Sequence, residues 1–123
     1  GTITSVQAEA KKRGLNTKLQ IELYGHWSFE DVKLWKELGI SQLTLQHSGD
    51  KPGGWDEEEI ATLKKLCDMG IDVAATGSIG YDDLEKFRGI PVSCFIFGRA
   101  IRKAADPAKE ARRMKEKIKE IWS

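Results

Sequence analysis

Two short stretches carry residue types that could hold an anion. Thr76-Gly77-Ser78 closes the apolar run D-V-A-A-T, and Gly98-Arg99 closes V-S-C-F-I-F. Each reads as a glycine-containing turn between a buried-type strand and a helix. Glycine lets backbone approach a ligand closely, and the N–H groups at a helix start attract negative charge. Either turn alone is better explained by sterics, since glycine also ends strands and helices for want of a Cβ. The pair says more. The turns lie one strand apart, so adjacent parallel strands would bring them to one edge of a sheet, with an arginine directly after the second glycine. Thr76, Gly77, Ser78, Gly98 and Arg99 are therefore expected to hold a phosphate-type anion.

Composition bounds what such a site could serve. The chain has 123 residues, 40% hydrophobic and 32% charged, the balance of a single globular domain over residues 1–123. Twenty Lys+Arg against 19 Asp+Glu leave a net charge of +1, so nothing marks a polyanion-binding surface. The local basic excess is Arg99, Arg102, Lys103, Arg112 and Arg113, which alternate with acids and read as a solvated helix face. Cys67 and Cys94 are far apart, have no metal-ligand spacing, and read as buried reduced thiols; the cytoplasm is the expected compartment. No apolar run approaches the roughly 18 residues that a membrane span needs, and no signal-peptide pattern opens the chain.

Hydrophobic periodicity supplies the elements that must position the turns. Residues 2–13 predict a helix with Ile3, Val6 and Ala10 on one side, closed by Gly14. L-Q-I-E-L-Y-G (19–25) alternates, with Leu19, Ile21 and Leu23 toward a helix layer and Gln20, Glu22 and Tyr24 away from it. Ser28 and Asp31 form an N-cap with an acidic third position, opening a helix whose apolar face is Phe29, Val32, Leu34, Trp35 and Leu38. The same grammar repeats in S-Q-L-T-L-Q-H (41–47), with Leu43 and Leu45 toward helices and Gln42, Thr44 and Gln46 away. Asp56 and Glu59 then cap a helix carrying Ile60, Leu63, Leu66 and Cys67. A strand at 71–76, a short helix near 81–87, a strand at 92–97 and a helix at 107–122 complete the pattern. Asp106, Pro107 and Glu110 open the last helix, and Ala111, Met114, Ile118 and Ile121 are its buried stripe.

This order of alternating helices and strands implies a parallel sheet with right-handed crossovers. Two architectures fit: a four-stranded doubly wound sheet, or half of a (β/α)8 barrel with an extra N-terminal helix. Strands covered by helices on both faces read as almost continuously apolar. Here one face carries Gln20, Glu22, Tyr24, Gln42, Thr44 and Gln46. A polar inner face suits a barrel lumen, and in such barrels the loops after strands 7 and 8 commonly bind phosphate.

Five segments then carry a family resemblance: I-E-L-Y-G-H-W, L-G-I-S-Q, C-D-M-G-I-D-V-A-A-T-G-S, F-R-G-I-P-V-S-C-F-I-F-G-R-A-I and E-I-W-S. Together they resemble the C-terminal half of 3-keto-L-gulonate-6-phosphate decarboxylases, members of the orotidine-5′-monophosphate decarboxylase suprafamily, which also contains 3-hexulose-6-phosphate synthases. The resemblance implies that Thr76, Gly77 and Ser78 stand for the family's T-G-G phosphate loop, and that Gly98 and Arg99 are the pair gripping the substrate phosphate. It implies that Glu22 is the active-site glutamate of strand 5. On strand 6 the family has H-x-S-R-D where this chain has Gln46-His47-Ser48-Gly49-Asp50. Gln46 takes the histidine position in gapless register, Gly49 takes the arginine position, and His47 could serve only after a one-residue slip. Phe97, where alanine is common, would crowd the pocket. The family's Mg2+ is held by carboxylates from strands 1 to 3, outside the matched half, so no metal ligands are expected here. The resemblance thus implies a lyase fragment that binds a sugar phosphate or inorganic phosphate, and the unpaired edge strands and open lumen face of a half barrel predict pairing with a second copy or with an N-terminal half barrel. Alternatives are a 3-hexulose-6-phosphate synthase-like aldolase fragment and a non-catalytic half-barrel assembly module.

Overall fold

The computed structural model describes residues 2–16, 18–23, 26–47 and 53–122. Its elements are α1 (Thr2–Lys12), β1 (Gln20–Leu23), α2 (Phe29–Glu37), β2 (Gln42–Gln46), α3 (Glu57–Asp68), β3 (Asp72–Thr76), a 3-10 helix (Tyr81–Phe87), β4 (Cys94–Ile96), α4 (Arg99–Arg102) and α5 (Pro107–Ile121). The four strands form one parallel sheet in the order β1-β2-β3-β4. A doubly wound sheet reverses its strand order at a switch point. No reversal occurs here, and strictly sequential order is that of a (β/α)8 barrel segment.

Local chemistry starts the helices where the sequence predicts. Ser28 Oγ accepts from the Asp31 N–H at 3.2 Å while Asp31 accepts from the Ser28 N–H at 3.0 Å. Asp56 and Glu59 repeat the reciprocal pair at 2.8 and 3.2 Å. Asp106 caps α5 through the Lys109 N–H at 3.1 Å. Such caps are each worth about 1 kcal/mol, and they fix where the strand-to-helix loops end.

The core lies between the sheet and the helices. Leu43 and Val73 are register partners, as are Leu45 and Ala75, and all four are buried with Val32, Leu63, Leu66, Trp55 and Phe87. The opposite sheet face is polar in rows. Gln20 aligns with Gln42 and Asp72; Glu22 with Thr44, Ala74 and Cys94; Gln46 with Thr76 and Ile96. Gln20 Nε2 donates to Thr44 Oγ1 at 2.6 Å across this face. Tyr24, expected on it, lies outside the described residues.

Several expectations change. Cys94 is exposed rather than buried, because β4 places it on the open face beside Ile96, itself 44% exposed. Cys67 is half-buried, and that burial, followed by the charges of Asp68 and Asp72, pushes its thiol up. β4 is shorter than predicted, pairing only over Cys94–Ile96. Leu34 and Leu38 are 58% and 43% exposed. α2 turns Val32 into the core and leaves these two with Ile3 and Trp35 along a shallow groove beside α1. On α5, Ala111 is exposed and the buried stripe runs through Met114 and Ile121. The helix is rotated toward the 3-10 helix, where Lys117 pairs with Glu85 at 2.9 Å and Arg113 stacks on Tyr81 at 3.8 Å. The Arg88 and Lys117 hydrogen bonds hold the Glu85 carboxyl down at about 2. Among the described residues no helix is long and apolar enough to cross a membrane.

Candidate functional site

The two glycine turns meet. Thr76 is the register partner of Ile96, so the backbones that follow leave the sheet side by side. Between them lies a cavity of about 470 Å³, lined by Thr76–Gly80 on one side and Ile96, Gly98, Arg99 and Ala100 on the other. All five residues expected to hold an anion line it. Arg99 opens α4, is exposed, and makes no ion pair among the described residues. Thr76 Oγ1 donates to the Ile96 carbonyl at 3.2 Å and ties the two walls together. Phe97 does not crowd the space. Its side chain turns to the opposite face and stacks on Phe95 at 6.1 Å between ring centroids.

The loop after β3 has an unusual backbone. Gly77 and Ser78 both have positive φ, 92° and 51°. For a non-glycine residue the left-handed region costs roughly 1–2 kcal/mol, so Ser78, at the third residue of the T-G-G pattern, holds its amide in a conformation that glycine would adopt freely. Beneath the loop, the His47 N–H donates to the Thr76 carbonyl at 3.0 Å. The Trp55 indole N–H donates to the Gly77 carbonyl at 2.8 Å.

The three residues matched to acid/base positions divide between the two faces. Glu22 and Gln46 are exposed on the polar face, Gln46 in the row that borders the cavity and Glu22 in the row below. His47 is only 2% exposed and lies on the core side, its Nδ1 2.7 Å from Glu59 Oε2 and its ring stacked on Trp55. Pairing continues unbroken from Gln46 into the His47 N–H, so no slip carries His47 to the face of Gln46. Ser48, Gly49 and Asp50 lie outside the described residues. The family in general uses Mg2+; among the described residues no three His, Cys, Asp or Glu side chains come together that could hold it.

Two residues escaped the sequence reading. Glu59 reads only as a cap partner, yet it also binds His47. Trp55 stands directly before the N-cap Asp56, with Ile60 five residues on. That is the spacing of a hydrophobic staple and flags an inward aromatic.

Comparison with known proteins accords with this geometry. Residues 1–114 match the Orotidine 5'-phosphate decarboxylase / HUMPS family. The chain is 42% identical over 110 residues to the 3-keto-L-gulonate-6-phosphate decarboxylase UlaD of Escherichia coli O139:H28, an alignment covering 87% of this chain and 51% of that one. Among solved structures, the Streptococcus mutans KGPDC with a sugar phosphate bound superposes with a TM-score of 0.86 at 37% identity, over 95% of this chain and 55% of that one. The 3-keto-L-gulonate-6-phosphate decarboxylase of Vibrio cholerae O1 biovar El Tor gives 0.85 at 34%, over 99% and 57%. The 3-hexulose-6-phosphate synthase of Salmonella typhimurium gives 0.79 at 24%, a likeness of fold alone. The chain spans about half the length of the curated relatives it matches. With the four-stranded parallel sheet and the matched residues 1–114, it belongs to the orotidine 5'-phosphate decarboxylase / HUMPS family.

Proposed function

We propose that this chain carries the phosphate-gripping part of a sugar-phosphate lyase site of the 3-keto-L-gulonate-6-phosphate decarboxylase type. The observation that carries the reading is the cavity that joins Thr76-Gly77-Ser78 to Gly98-Arg99, with an arginine unengaged among the described residues at its rim. The anion sits between the backbone amides of the two turns, and the Arg99 guanidinium supplies paired, charge-assisted hydrogen bonds. The sugar extends over the polar sheet face toward Gln46 and Glu22. The sugar-phosphate complex of the S. mutans relative supports a ligand of this class. The decarboxylases, at 34–42% identity, direct the reading more strongly than the synthase at 24%. Arg99→Ala should lower phosphate affinity about tenfold, some 1.4 kcal/mol, in a calorimetric titration; unchanged affinity would remove Arg99 from the site.

The same reading concerns association. β1 and β4 are the sheet edges, and an edge strand presents unpaired N–H and C=O groups that recruit another strand. A second copy, or a complementary N-terminal half barrel, covers these edges and the polar face. Sedimentation equilibrium of the chain alone should therefore show self-association at tens of micromolar, whereas a monomer across that range would refute the second-copy arrangement.

A further inference from the structure

The anion turn is held from behind by a residue that does not line the cavity. Trp55 is 2% exposed, and its indole N–H donates to the Gly77 carbonyl at 2.8 Å. The peptide joining Gly77 to Ser78 is trans and planar, so its C=O and N–H point in opposite directions. Fixing the carbonyl on a buried indole turns the Ser78 N–H the other way, toward the cavity that Gly77 and Ser78 line.

The indole is itself held firmly. It packs edge-on against Phe87 at 5.2 Å and stacks on His47 at 6.5 Å between centroids. The Trp55 carbonyl accepts from Lys86 Nζ at 3.1 Å. Lys86 also binds Asp83 Oδ1 at 3.0 Å, and Asp83 Oδ2 accepts the Gly80 N–H at 2.8 Å. Both ends of the cavity loop, Gly77 and Gly80, thus hang on one frame.

The backbone strain shows what that frame opposes. Ser78 has φ 51°. Rotating the 77–78 peptide by half a turn would carry Ser78 to negative φ, the region ordinary residues prefer. It would also aim the Gly77 carbonyl oxygen into the cavity, where it repels an anion.

We propose that Trp55 is the positioning residue of the anion site, a latch that keeps the Gly77–Ser78 peptide in its anion-binding orientation against the strain at Ser78. This rests on the reading that the cavity takes phosphate. Binding and latching are linked reciprocally, since an anion that prefers the latched peptide stabilises the indole hydrogen bond to the same degree.

The test is a titration with inorganic phosphate followed by the backbone amide signals of Ser78 and Arg99 in NMR. The unmutated chain should show saturable shifts at both. Trp55→Phe, which keeps an aromatic ring and removes the donor, should bind phosphate at least fivefold more weakly. Phe87→Leu loosens the same aromatic cluster but keeps the donor; its melting temperature should fall while its phosphate affinity stays within twofold. In the unmutated chain, hydrogen exchange of the Trp55 indole N–H should slow when phosphate saturates. Full affinity in Trp55→Phe, an equal loss in Phe87→Leu, or indole exchange indifferent to bound phosphate would each overturn the latch alone. The exchange measurement stands even if Trp55→Phe does not fold. Absence of any phosphate shift in the unmutated chain would overturn the anion site itself, and the latch with it.

Discussion

Gly77→Ala should destabilise the fold by about 2–5 kcal/mol and abolish phosphate binding. A Cβ at Gly77 would stand 3.0 Å from the His47 nitrogen, 3.1 Å from its carbonyl oxygen and 3.2 Å from its Cβ. Two of these three are backbone atoms, and the His47 N–H is committed to the Thr76 carbonyl, so β2 cannot withdraw without breaking the ladder. Left-handed φ adds roughly 1–2 kcal/mol for a residue with a Cβ, and overpacking a tight site adds roughly 1–3 kcal/mol. That is a large share of the roughly 5–15 kcal/mol by which small domains are stable. Gly80→Ala is the control, since its backbone is extended, at φ −112° and ψ −178°, and its Cβ would meet only the Asp83 carboxylate at an ordinary 3.6 Å. Urea unfolding of the two variants decides the point: a Gly77→Ala midpoint close to that of Gly80→Ala would show that the loop yields.

The second large effect is an absence of turnover. Decarboxylation leaves an electron pair on carbon, and the barrier falls only where positive charge or a well-placed acid meets it. Among the residues matched to family positions on the polar face, Glu22 contributes negative charge and Gln46 an amide that does not titrate near neutral pH. His47, which could move a proton, is turned into the core against Glu59. The resemblance places the family's Mg2+ carboxylates on strands 1 to 3, outside the matched half, and Glu22 is the one carboxylate among the residues matched to acid/base positions. A second copy would repeat these groups without adding others. The chain assayed alone with Mg2+ and 3-keto-L-gulonate 6-phosphate should therefore show no carbon dioxide release above the uncatalysed background. Release that persists through purification and vanishes in Glu22→Gln would show that the site assembles by another route.

The fold was legible where one residue type answers one local demand. Ser28, Asp56 and Asp106 each supply an oxygen that orphan helix N–H groups need, and all three caps form as the sequence predicts. Strict alternation in 19–23 and 42–46 told one face from the other, because a side-chain period of two leaves no choice once one face is buried. It also placed His47 on the core side, as the structure finds it. What escaped depends on neighbours distant in sequence. Ala111 fits an apolar stripe on α5, but the helix rotates to bring Lys117 and Arg113 onto the 3-10 helix. Cys94 looks like a core residue until its register with Ala74 puts it on the open face. The five residues expected to hold an anion line one cavity, so their juxtaposition was readable. The Trp55 bond to the Gly77 carbonyl was not: the staple spacing to Ile60 flags the ring as inward, but its partner is a carbonyl 22 residues away and carbonyls leave no trace in side-chain type.

The sequential strand order has a kinetic meaning. Gln20 pairs with Gln42, Gln42 with Asp72 and Ala74 with Cys94, separations of 22, 30 and 20 residues (42 − 20, 72 − 42, 94 − 74). Loop-closure entropy grows only with the logarithm of length, so the longest and shortest of these closures differ by roughly 0.4 kcal/mol. No single pairing step stands out as an entropic bottleneck, and each of β2, β3 and β4, arriving from the ribosome, finds its partner already made.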